Sequence, residues 1–178
     1  MFVQKFSIYG TTEMNGDELT MGSISKDFYY VLVAPDKDTD DEPVDTYKTE
    51  DADTRVTVRN FADADSSFGY GLVFHSKTPP LQQGYAFLID TKRKKYRVVH
   101  HEPQKEIPVV KWTASTAIKG GSEENVLEVR DMPDKIELYI NGTMVTSITN
   151  IYGFAGGVVG LYSGDGVKVA FKDLEIRR

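Results

Sequence analysis

Cysteine is missing altogether from these 178 residues, which excludes a disulfide framework and a thiolate metal site. Tryptophan occurs once and histidine three times, so aromatic platforms and imidazole chemistry are confined to few positions. No apolar run reaches the roughly 18 residues that a membrane-spanning helix needs. The chain has no Gly-x-Ser-x-Gly elbow, no P-loop and no dinucleotide-binding glycine fingerprint. Helical periodicity is almost absent. The net charge of -6 argues against nucleic acid or an anionic membrane as the partner. The opening MFVQKFSIYG lacks the apolar stretch and cleavage site of a secretory leader. The expectation is a cytoplasmic chain, or a domain excised from a longer, exported one.

What is present is a succession of short strand-like runs separated by turns, the signature of a sandwich or barrel. They fall at Phe2–Tyr9, Glu18–Ser23, Phe28–Val33, Arg55–Asn60, Gly69–His75, Tyr85–Asp90, Tyr96–His100, Val109–Trp112, Asn125–Arg130, Lys135–Ile140, Thr143–Ile148, Gly157–Ser163 and Val167–Ile176. A single domain over residues 1–178 is expected. The polar stretch Asp36–Asp53, rich in Asp and Glu, is expected to be an acidic surface loop, and short helical or 3₁₀ turns could fit near Thr113–Ile118.

Asn141-Gly142, set between two alternating runs, is the clearest local signal. A two-residue type I′ turn needs positive φ at both central positions, and Asn-Gly supplies them. The spacing predicts a hairpin with Leu138 facing Val145. The pair also begins a glycosylation sequon, Asn141-Gly142-Thr143, although the turn already accounts for both residues.

In GYGLVFHS and GYAFLID both strand faces are apolar. The aromatic-bearing set, with Leu72, Phe74, Phe87 and Ile89, is expected between the sheets, where burial is greatest. Gly71, Val73, His75, Ala86, Leu88 and Asp90 then line the opposite face, as a groove or a surface covered by loops or a partner.

These segments, with KKYRVV, KWTASTAI, NVLEVR, IELYINGTMV and GGVVGLYSGDGVKVAFKDLEI, resemble in order the concanavalin A-like lectin/glucanase superfamily. Laminin-G-like domains and the 3-keto-disaccharide hydrolase family are the nearest by pattern. The resemblance implies an all-β, two-sheet antiparallel jelly-roll sandwich. Its first functional implication is a non-catalytic, carbohydrate-binding module using His75, Asp90, Val73, Ala86 and Leu88, with Trp112 as a stacking platform. Alternatives are a glycoside hydrolase and a structural or protein-interaction domain. The hydrolase family's groove-facing Arg, Glu, Gln and Asp fall on His75, Ala86, Leu88 and Asp90, so only Asp90 keeps its type. The resemblance also implies a structural calcium near the last strand, at Asp173.

Three further features have bland explanations. Asp36–Glu42 lacks the Gly and Glu spacing of an EF-hand and reads as a solvated loop. Lys92-Arg93-Lys94-Lys95 reads as a charged hairpin turn. His100 and His101 are adjacent on a strand, so they point to opposite faces and cannot share a metal.

Overall fold

A computed structural model describes residues 10–24, 27–33, 47–77, 82–152 and 157–178. The expected strand at Phe2–Tyr9 and most of the acidic loop lie outside them. Thirteen strands follow one another: β1 (Gly10–Asn15), β2 (Glu18–Ser23), β3 (Phe28–Leu32), β4 (Asp53–Asn60), β5 (Tyr70–Ser76), β6 (Tyr85–Asp90) and β7 (Lys95–Glu102); then β8 (Lys105–Ala114), β9 (Asn125–Asp131), β10 (Ile136–Ile140), β11 (Thr143–Ile148), β12 (Val158–Gly164) and β13 (Val169–Arg177). They form two antiparallel sheets, one ordered β1-β2-β13-β4-β9-β10-β11 and the other β3-β12-β5-β6-β7-β8. The all-β sandwich expected from the sequence is the fold. Thr113–Ile118 is the end of β8 followed by a turn in which the Ile118 amide donates to the Ser115 carbonyl at 3.4 Å.

The inter-sheet core contains Tyr70, Leu72, Phe74, Phe87, Ile89 and Val98 from the six-stranded sheet, against Val56, Leu127, Leu138 and Phe171 from the other. Val73, Ala86, Leu88 and Val99 form a second cluster with Tyr162. The period of two along β5 and β6 separates Leu72, Phe74, Phe87 and Ile89 from Val73, Ala86 and Leu88 as the sequence predicts, because a slip of one position would exchange both sets. His75, at the end of β5, is an exception.

Asn141 and Gly142 turn β10 into β11 with φ of 50° and 80°. Leu138, however, pairs with Thr146 rather than Val145, because the register shifts beyond Leu138/Tyr139. One extra residue in β11 makes a bulge, which no propensity in TMVTSI announces.

The six-stranded sheet is strongly curled. The rings of Tyr30 on β3 and His101 on β7 lie 5.5 Å apart, although a flat sheet would separate strands four places apart by about 19 Å. Its outer face is therefore concave, and side chains meet across it.

Candidate functional site

The concave face is occupied by the protein's own side chains. Val73, Ala86, Leu88 and Val99 make a floor with no solvent exposure. Phe28, Tyr30, Leu32 and Phe68 cover it and are half-buried. Phe28 stacks on Tyr162 with centroids 5.1 Å apart. His101 is stacked beside Phe28 and Tyr30. The three groove residues Val73, Ala86 and Leu88 are thus on the expected face but beneath a cover, as floor rather than contact surface.

Within this apolar setting sits a charged network. Glu106 accepts from Arg97 Nη2 through Oε1 at 2.8 Å. Its Oε2 accepts from the Tyr162 hydroxyl at 2.9 Å and lies 3.2 Å from His101 Nε2. Arg97 also donates from Nε to the Phe68 carbonyl at 3.0 Å. Burial by itself would raise the Glu106 carboxyl. The His101 hydrogen bond, the Arg97 charge and the Tyr162 hydrogen bond outweigh it and hold the group below the ordinary carboxylate value. Burial and the Glu106 charge push the Tyr162 phenol far up. His101 Nδ1 is buried with no partner among the described residues. A carboxylate held ionised in this way accepts hydrogen bonds well and is ill suited to donate a proton as a general acid.

Trp112, on β8, forms one rim and is half-buried. The guanidinium carbons of Arg93 and Arg97 stand 4.9 and 5.3 Å from its ring centroid. Its indole N–H donates to the Ser67 carbonyl at 3.3 Å. The expected stacking platform exists, but two cations already lie against it.

His75 is not on the concave face. It takes a φ of 54° at the end of β5, which breaks the alternation and swings the ring towards the seven-stranded sheet. There Nδ1 lies 2.8 Å from Thr49 Oγ1 and Nε2 3.3 Å from Asp131 Oδ2. A Cβ on Gly157 would come within 2.4 Å of the His75 Cα, so glycine is required for this close approach. Thr49 belongs to the end of the acidic segment, and its burial to 1% shows that this end is anchored rather than a free surface loop.

Asp90 is fully buried. It accepts from Arg93 Nε at 2.5 Å, from the Arg93 amide at 3.2 Å and from the Ser66 amide at 3.3 Å. It closes the β6–β7 turn and presents no oxygen to a ligand.

Asp173 is exposed at a positive φ of 52° where the register of β13 against β4 shifts. The neighbouring Glu175 is taken by Arg55 and Arg177. Among the described residues no group of three His, Asp or Glu side chains could hold a metal. Calcium takes about six to eight oxygens, backbone carbonyls included, and Asp173 brings one exposed carboxylate to this position.

Arg97 and Glu106 are not among the candidates that the sequence offers, and His101 is considered there only as a metal ligand. Arg97 and His101 carried a signal, since β7 alternation puts them on the face of Val99, opposite the core residues Tyr96 and Val98. Glu106 carried none, because its partners come from β7 and β12.

No family model matches the chain, and no curated protein matches it. Solved structures do. The carbohydrate binding module CBM66 from Bacillus subtilis matches with a TM-score of 0.71 and 14% identity, over 96% of this chain and 93% of that one. A Bacillus subtilis protein of unknown function with a galectin-like fold gives 0.63 and 8%, over 94% and 86%. The VIP36 exoplasmic/lumenal domain in its Ca2+/Man3GlcNAc-bound form gives 0.57 and 11%, over 95% and 85%. At these identities the likeness is one of fold, and the fold is that of lectin-like jelly rolls.

Proposed function

We propose that this chain is a carbohydrate-recognition module that reads its ligand on the concave face of the six-stranded sheet. The observation that carries the reading is the Arg97–Glu106–His101–Tyr162 network. Desolvating an ion pair costs about as much as the pair returns, so apolar side chains would serve a purely structural role at least as well. A fixed guanidinium–carboxylate pair, by contrast, offers aligned donors and acceptors to the hydroxyls of a sugar. The half-exposed rings of Phe28, Tyr30, Phe68 and Trp112 offer apolar surface to its C–H faces. The carbohydrate binding module of the same fold supports this ligand class. His75, Asp90 and Asp173 are left out of the site on the geometry above.

The test is a glycan array followed by calorimetry on the wild type and on Glu106→Gln, which keeps the shape of the side chain and removes its charge. Binding by the wild type that weakens at least about tenfold in Glu106→Gln, with folding intact, supports the reading. Absence of any glycan ligand would sink it. Undiminished binding by the variant would move the site off this face.

A further inference from the structure

We infer that Asn141-Gly142 is a modification site closed by folding and opened by unfolding. It deamidates in the unfolded chain, and the converted chain cannot rebuild the native turn. Asn-Gly is the dipeptide most prone to this reaction, because glycine leaves its amide nitrogen unhindered. The Gly142 nitrogen gives up its proton and bonds to Asn141 Cγ. The Cγ–Nδ2 bond breaks, and ammonia leaves with that proton. Water then opens the cyclic imide at either carbonyl, giving aspartate or isoaspartate. The net change is amide plus water to carboxylate and ammonium, without oxidation or reduction.

The folded protein opposes the first step by holding the Asn141 amide at both ends. Its Oδ1 accepts from the Val126 amide at 2.8 Å. Its Nδ2 donates to the Ala117 carbonyl and to Asn125 Oδ1, each at 2.8 Å. Its backbone N–H donates to the Val126 carbonyl at 2.8 Å. The side chain therefore bridges the hairpin, β9 and the turn after β8, and it cannot swing onto the Gly142 nitrogen without breaking three bonds. The same bonds occupy the nitrogen that glycosylation of the Asn141-Gly142-Thr143 sequon would modify.

The products are incompatible with this seat. A carboxylate keeps the Val126 bond but donates nothing, and it faces the Ala117 carbonyl and Asn125 Oδ1, two oxygens that have lost this donor, although Asn125 Oδ1 keeps the Lys119 amide. Isoaspartate also adds a methylene to the main chain within a two-residue turn. Time spent unfolded is thus converted into permanent loss of refolding.

The experiment incubates the protein at mildly alkaline pH, native and in guanidinium chloride, and follows Asn141 by peptide mapping and mass spectrometry. Native conversion should be slower than unfolded conversion by at least about tenfold, since reaction must wait for local opening. Equal rates would overturn the protection. Asn125→Ser, which shortens the side chain and withdraws the amide acceptor, should raise the native rate. An unchanged rate in a folded Asn125→Ser protein would overturn the role of the bridge. After dilution from denaturant, the fraction that fails to refold should track the converted fraction. Converted chains that refold with an unaltered melting temperature would overturn the second half of the inference.

Discussion

Tyr162 on β12 donates its hydroxyl hydrogen to Glu106 on β8 at 2.9 Å, although β5, β6 and β7 lie between those strands. The bond spans the concavity and ties one side of the curled sheet to its edge. Removing the carboxylate should therefore affect both stability and ligand binding. Glu106→Gln should cost about 1–3 kcal/mol. Glu106→Ala, which leaves the half-buried Arg97 without its carboxylate and with only the Phe68 carbonyl, should cost more, up to about 3–5 kcal/mol. Tyr162→Phe should cost about 1 kcal/mol. Chemical denaturation of the three variants checks the order, and an Ala variant as stable as the Gln variant would contradict the buried pairing.

The pH dependence follows from the same carboxyl. A carboxyl lowered on folding stabilises the protein above its unfolded value of about 4.5, and that contribution is lost as pH falls through the lower folded value. Melting temperatures measured down the acid range should show this loss in the wild type. The Glu106→Gln protein should lack that part of the slope.

His75 is a structural pin, so His75→Ala should destabilise the fold by about 1–3 kcal/mol. It removes the ring from between Thr49 and Asp131, which keep only the residue-75 amide and Gly157 carbonyl, and the Asp51 amide, respectively. Glycan affinity of the folded fraction should be unchanged. A selective loss of binding at wild-type stability would return His75 to the site.

Gly142→Val forces a β-branched residue to a φ of 80° and should cost about 1–3 kcal/mol. The space around that position is open, so Gly142→Asn, which tolerates the left-handed region, should cost much less. Equal losses would point to something other than backbone strain.

The Tyr152 hydroxyl donates to the Gly84 and His101 carbonyls at 3.2 and 3.1 Å. Burial is the main cause that pushes its phenol up to about 12. A phenol raised on folding adds stability below its unfolded value, and that increment is lost as pH rises through the folded one. Ultraviolet titration should find a tyrosine ionising near about 12 that is absent from Tyr152→Phe.

Alternation made much of this molecule legible. It separates Leu72 and Phe87 from Val73 and Leu88 because a strand has only two faces, and one register satisfies both sheets. Asn141-Gly142 is legible because only residues tolerant of positive φ can make that turn. The same logic fails at His75 and at Val145, where a left-handed residue or a bulge interrupts the period of two. Neither side chain announces the interruption. It arises from contacts with Gly157, Thr49 and the paired strand.

The sequence by itself therefore determined the class of fold, the strands apart from β1, the tight turn and, His75 excepted, which side chains of β5 and β6 share a face, since these depend on local backbone preference and periodicity. The tertiary structure alone decided the curl of the six-stranded sheet. That curl brings Tyr30 and Tyr162 over to His101 and Glu106, fills the expected groove and turns Val73, Ala86 and Leu88 into its floor. The physical reason is distance: residues on strands four places apart interact only when curvature closes a gap that no local pattern encodes.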